Sequence, residues 1–203
     1  MIVGALDLSL RHTAAVVAPD DLFDREEPSR HAVFLNVGQD VRKKVPESQR
    51  IERLKFIAAH VSEFSRVYKV EKWYVEGYSY GNGEQAHSLG ELGGVVKVQL
   101  SLDGHYVTPI AVLSARSTML GTLPKLTKEQ KKIKENLPKS IVFEEMKLRF
   151  PQITRNDESD ALAVFNQAMK LLGKTYLTNL RYERSNRSNS RRRNRKSIEQ
   201  SVV

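Results

Sequence analysis

Asp7 stands in an otherwise apolar stretch, Ile2 to Leu8, and Glu76 closes a second apolar run, Trp73-Tyr74-Val75. A carboxylate taken out of water without a partner costs several kcal/mol, so an acid at such a position is held by a cation or a metal. Further along, Asn156-Asp157-Glu158-Ser159-Asp160 leads straight into Ala-Leu-Ala-Val-Phe. On a helix, positions i and i+3 share a face with Cβ atoms about 5–6 Å apart, so Asp157 and Asp160 point together while Glu158 points elsewhere. Capping and the helix dipole account comfortably for an acid at 157 or 158. They account poorly for Asp160, which adjoins the apolar face. A structural ion pair explains Asp7 or Glu76 taken singly as well as a metal does; the third acidic cluster tips the balance toward a shared site.

Carboxylates without cysteine or clustered histidine are oxygen donors, suited to hard divalent ions such as Mg²⁺ or Mn²⁺. Two such ions about 3.5–4 Å apart can activate a water and stabilise the leaving 3′ oxygen of a phosphodiester. Such a protein needs no nucleophile of its own. The chain has no cysteine, which excludes disulfides and thiolate metal sites and suits a reducing compartment. It also lacks the G-x-x-x-x-G-K-S/T phosphate loop. His12 and His87 could approach the acids, but lone histidines are more often surface residues, and neither is assigned a role.

The elements that must carry these acids follow from periodicity. Ile2 to Leu8 and Thr13 to Val17, separated by a polar turn, read as a hairpin, with a third strand near Ala32 to Val37. Three strands with short connections suggest an antiparallel meander. Ile51, Leu54, Ile57, Ala58, Val61 and Phe64 form the stripe of an amphipathic helix. Then come a strand at 73–76, a helix at 85–102, a strand at 106–113 and helices at 139–150 and 159–172. The order β-β-β-α-β-α-β-α-α implies a mixed sheet flanked by helices, an α/β fold.

The chain has 203 residues, enough for one such domain, and carries a net charge of +9. Residues 181–203 hold eight basic side chains and two acids, a net of +6, which leaves 9 − 6 = +3 for the rest. That tail has little to bury and is expected to be disordered, its arginines, Arg191, Arg192 and Arg193 among them, acting as sequence-independent phosphate contacts. A lysine-rich segment bounded by Pro124 and Pro138, with Lys125 and Lys128, reads as an insertion. No run of about 18 apolar residues occurs, and the first residues do not read as a signal peptide, so a cytoplasmic protein without membrane contact is expected.

Five motifs in order, GALDLSLRHTA, WYVEGYSY, HSLGELGGVVKVQL, ARSTMLG and DESDALAVF, resemble those of RuvC-type Holliday junction resolvases of the RNase H-like, retroviral integrase superfamily. The resemblance spans residues 1 to about 172. It implies an RNase H-like mixed five-stranded sheet flanked by helices over residues 1–177, with the insertion at about 124–138 and a basic tail at 178–203. It further implies that Asp7, Glu76, Asp157 and Asp160 hold two Mg²⁺ or Mn²⁺ ions, in a homodimer that nicks symmetry-related strands of a four-way junction to leave 5′-phosphate ends. KSIVFEEM matches the family's helix with a functional lysine, which lands on Lys139 beside the scissile phosphate. ARSTMLG matches a second basic position, Arg116, where Lys is usual; a guanidinium holds phosphate at least as well.

The loop Leu8 to His12 lacks the Pro-Gly usual in bacterial members, and the insertion and tail are also foreign to them, which implies a phage- or virus-like member, acting in the host cytoplasm if phage-encoded. Tyr78 and Tyr80, in a glycine-containing loop after Glu76, could stack on unpaired bases, or simply pack the loop. Gly90, Gly93 and Gly94 each cost a helix about 1 kcal/mol relative to Ala, repaid by tight packing on the sheet or by close approach across a dimer. The rival readings are an RNase H-like nuclease acting on RNA or RNA–DNA hybrid, and a non-catalytic protein that binds branched DNA.

Overall fold

The computed structural model describes residues 1–38, 46–77, 83–121 and 137–178. The described strands are β1 (Ile2–Asp7), β2 (Thr13–Pro19), β3 (Val33–Val37), β4 (Lys72–Gly77) and β5 (Tyr106–Ala111). The described helices are α1 (Glu47–Val67), α2 (Gly83–Leu102), α3 (Val112–Leu120), α4 (Leu137–Arg149) and α5 (Asn156–Leu171). The strands form one sheet in the order β3-β2-β1-β4-β5. The first three make the antiparallel meander, and β1, β4 and β5 run parallel. This is the mixed five-stranded α/β sheet implied by the sequence.

Alternation along the strands sorts side chains to two faces. Val3 and Ala5 of β1, with Tyr74 of β4 and Ile110 of β5, pack beneath α3, α4 and α5. Leu6, Trp73 and Val75 pack on the opposite face with Ile57, Val61, Leu92 and Val96 of α1 and α2. Residue 4 also faces that side, and it is glycine because a Cβ there would sit 2.5 Å from the Trp73 ring. Asp7 and Glu76 continue the first set, so both carboxyls emerge toward α5.

One element departs from the periodicity. The strand expected over 106–113 ends at Ala111, and Val112–Leu120 is a helix. The apolar run Ile110-Ala111-Val112-Leu113 has no Gly or Pro inside it to punctuate the change from one period to the other. Pro109 is accommodated because β5 is an edge strand, where a missing N–H leaves no ladder bond unmade. The last helix closes on Gly173 (φ 67°), with Gly173 N donating to Lys170 O and Lys174 N to Met169 O, a Schellman ending.

Candidate active site

β1 and β4 pair in parallel with Leu6 opposite Val75, which places Asp7 and Glu76 side by side at the carboxyl ends of their strands. Their carboxyls face one another closely enough for each to shift the other's pKa. Burial raises Asp7 well above the usual carboxylate range, and the neighbouring Glu76, with the negative charges of Asp160 and Asp157, adds to it. Glu76 is raised by burial and by Asp160, against the lowering pull of Asp7, Arg116 and Lys139. Placing like charges together out of water favours the protonated form of both.

Helix α5 brings the other pair. Its apolar residues Ala161, Leu162, Val164, Phe165 and Ala168 are buried against the sheet, which turns Asp160 inward at 4% exposure. Asp157, one turn earlier, is partly buried on the same side. Glu158 turns away as its position demands: its Oε2 accepts from Thr154 N at 2.6 Å and Arg155 N at 2.9 Å, so its acid caps the helix. The dipole and the site thus divide the three acids of this cluster between them.

Two cations complete the arrangement. Arg116 of α3 donates from Nε to Asp160 Oδ1 at 3.0 Å, and its Nη2 lies 3.0 Å from Oδ2. Lys139 Nζ lies 2.7 Å from Asp160 Oδ2 and 3.9 Å from Asp157 Oδ1. Lys139 sits in the first turn of α4, where the helix dipole disfavours a cation, so the acids are what hold it there. Burial opposes the charge on both cations, but the Asp160 carboxylate outweighs it and raises both pKa values. Thr118 Oγ1 donates to Gln167 Oε1, a bond that ties α3 and its arginine to α5.

The donor set is entirely carboxylate oxygen, which fits a hard divalent ion. Asp160 Oδ2 is buried and has no hydrogen bond of good alignment, although two cations stand at ion-pair distance. Four acids against two cations leave an excess of two negative charges if all are ionised, and the raised pKa values of Asp7 and Glu76 follow from burial together with that excess. Among the described residues, no three carboxylates or imidazoles stand close enough to enclose an ion as they are. The donor chemistry suits a hard divalent ion, while the arrangement seats Lys139 and Arg116 on Asp160.

Asp7, Glu76, Asp157, Asp160, Lys139 and Arg116 are thus gathered from five elements into one place. Tyr78, Tyr80, Lys125, Lys128, Arg191, Arg192 and Arg193 lie outside the described residues. His87 is exposed on α2 and makes no contact with the acids among the described residues. His12 is engaged: Arg155 Nη1 donates to its Nδ1 at 2.8 Å. Arg155 escaped the sequence reading, although an arginine at a helix N-cap, where Ser, Thr, Asp or Asn is usual, was a visible signal. No described helix is long and apolar enough to cross a membrane.

No protein-family model matches the sequence, and no curated protein matches it. Solved structures do. RuvC of Thermus thermophilus in complex with a Holliday junction substrate aligns with TM-score 0.57 at 19% identity, over 85% of this chain and 96% of that one. A second Thermus thermophilus RuvC structure aligns with TM-score 0.56 at 20% identity, over 86% and 98%. The yeast mitochondrial Holliday junction resolvase aligns with TM-score 0.52 at 11% identity, over 90% of this chain and 81% of that one. The chain has the RuvC-type resolvase fold.

Proposed function

We propose that this chain is a metal-dependent endonuclease that cleaves branched DNA, four-way junctions above all. The observation that carries the reading is the convergence of Asp7, Glu76, Asp157 and Asp160 at the carboxyl ends of two adjacent parallel strands. A charge cluster this costly gains nothing for the fold, and a ligand of opposite charge would offset it. Asp7, Glu76, Asp157 and Asp160 would hold two Mg²⁺ or Mn²⁺ ions through their carboxylate oxygens. Bound there, such ions supply Lewis-acid stabilisation of a phosphodiester and lower the pKa of water beside it. Lys139 and Arg116 are partly exposed at the rim of the acids, able to face a phosphate oxygen while balancing Asp160. Tyr78 and Tyr80 are proposed to stack on junction bases, and Lys125, Lys128, Arg191, Arg192 and Arg193 to track phosphates.

The endonuclease acts as a homodimer in this reading. A Cβ at Gly90 or Gly94 would meet nothing within 4 Å, so packing within the chain does not require glycine at either place. Val98, four residues after Gly94, is 60% exposed. Between α1 and α2 lies a groove of about 500 Å³ lined by Ile51, Leu54, Gly94, Val95 and Val98. Side chains missing from α2 would let the backbone of a second copy approach closely.

The test is cleavage of a synthetic four-way junction with and without Mg²⁺ or Mn²⁺, beside a linear duplex and an RNA–DNA hybrid of the same sequence. Metal-dependent nicking confined to the junction is expected. Preference for the hybrid would make the chain an RNA-directed nuclease. Binding without nicking in either metal would make it a non-catalytic junction binder, a reading favoured by the seating of Lys139 and Arg116 on Asp160.

A further inference from the structure

The surface arginines Arg25, Arg30, Arg50 and Arg66, the first and third of them half-buried, each face an acid: Arg25 with Asp21 at 2.9 Å, Arg30 with Glu27 at 2.5 Å, Arg50 with Glu47 at 2.7 Å, and Arg66 with Glu63. Two others do not. Among the described residues neither Arg11 nor Arg155 forms an ion pair with a carboxylate, although both sit next to the most acidic place on the molecule. Arg11 and His12 lie in the loop that begins directly after Asp7, and Arg155 precedes Asp157 by two residues. The two segments meet outside the acids, where Arg155 Nη1 donates to His12 Nδ1. The other guanidinium N–H groups of Arg155 have no partner among the described residues.

The loop that presents Arg11 and His12 is held from several sides. Ser9 Oγ accepts from Arg11 N at 3.3 Å and His12 N at 3.4 Å. Thr13 Oγ1 donates to Ser9 O at 2.6 Å and accepts from Ser9 N at 3.2 Å. Arg53 of α1 reaches across to donate to Leu10 O. Gly38 closes the far side, where a Cβ would lie 2.0 Å from Arg11 O and force the loop away. A cationic surface held this firmly loses little conformational entropy when it binds.

We propose that Arg11, His12 and Arg155 form a phosphate-holding rim that grips the DNA backbone of the strand entering the four-acid site. Guanidinium groups without a carboxylate partner, one on the held loop and one at the N-cap of α5, suit the oxygens of a phosphodiester, which presents the same charge at every step and asks for no base. The neighbouring acids repel that same backbone. A cationic rim therefore decides where along the strand the approach is tolerated. The inference rests on the branched-DNA reading and assigns part of its binding surface.

The test is anisotropy titration of a labelled four-way junction without divalent metal, over a series of salt concentrations. Three proteins are compared: the unaltered chain, the double variant Arg11→Ala with Arg155→Ala, and a control, Arg25→Ala with Arg30→Ala, whose arginines are already paired. Each phosphate contact contributes about one to the slope of log K against log salt, so the rim variant is expected to flatten it by about two and the control to leave it unchanged. Junctions with a single uncharged methylphosphonate, stepped along the strand, add a positional readout. The unaltered chain should lose affinity at phosphates beside the cleaved one, and the rim variant should be indifferent there. An equal slope in the rim variant, an equal loss in the control, or the same methylphosphonate profile in both would overturn the rim while leaving junction cleavage by the unaltered chain standing. Failure of the unaltered chain to bind any junction removes both.

Discussion

Asp7 and Glu76 end neighbouring parallel strands, just beyond the Leu6–Val75 pair, and burial raises the pKa of both carboxyls. Replacing Asp7 with Asn preserves size while removing an ionisable group and an oxygen proposed to hold the metal. Nicking of a four-way junction by Asp7→Asn is expected to fall to background, with junction affinity in the absence of metal kept or slightly raised. Retained turnover would take Asp7 out of the site.

The same pair sets a pH dependence. A carboxyl raised in the folded state binds its proton more tightly folded than unfolded, so unfolding free energy falls as pH climbs from the unfolded values near 4 through the raised ones. The stabilising effect of protonation is complete below the unfolded values and is lost as pH rises through the raised ones. Metal-free melting temperature should therefore decline from about pH 4.5 to 7.5 more steeply in the unaltered chain than in Asp7→Asn. Adding Mg²⁺ should raise it more at pH 7.5 than at pH 5. For a chain of this size each kcal/mol corresponds to about 2–4 °C. Parallel profiles in scanning calorimetry would contradict the coupling.

Arg116 is the aligned partner of a buried acid. Arg116→Ala is expected to lower unfolding free energy by about 1–3 kcal/mol, the cost of leaving part of a buried charge unpaired. Arg116→Lys should recover only some of it, because a single ammonium replaces a fork that meets both Asp160 oxygens. Urea denaturation without metal reads both values.

The glycines of α2 separate folding from assembly. Gly94→Ala fills open space and removes a helix penalty, so the chain should gain roughly 0.5–1 kcal/mol in urea. Gly94→Glu should leave the monomer folded and shift sedimentation equilibrium from dimer to monomer. A monomeric unaltered chain, or a dimeric mass kept by Gly94→Glu, would overturn the proposed dimer contact on α2.

Deleting residues 181–203 removes a net charge of +6. Melting of the remainder should be unaltered, while junction affinity drops and its salt dependence becomes shallower. An equal slope, measured by anisotropy, would mean the tail has no part in binding.

Much of this was legible in one dimension. An acid inside a strand pattern is conspicuous because water is the only cheap environment for it, and Asp7, Glu76 and Asp160 each stood out for that reason. The i, i+3 spacing of Asp157 and Asp160, with Glu158 turned aside, follows from helix geometry alone. The start of α3 was not legible, since Ile110 to Leu113 suits a buried strand and a buried helix equally.

What the chain order determines is which residues are costly where they stand, because local periodicity sets each side chain's face and hence its exposure. What it leaves undetermined is company. That Arg116 grips Asp160, that Arg155 reaches His12, and that Arg53 and Gly38 hold the loop after Asp7 all join segments far apart in sequence. Those pairings depend on the register of β1 against β4 and on the seating of α3 and α5 against the sheet. Charge and burial act through space, so only the folded chain could turn six conspicuous residues into one site and give it a rim.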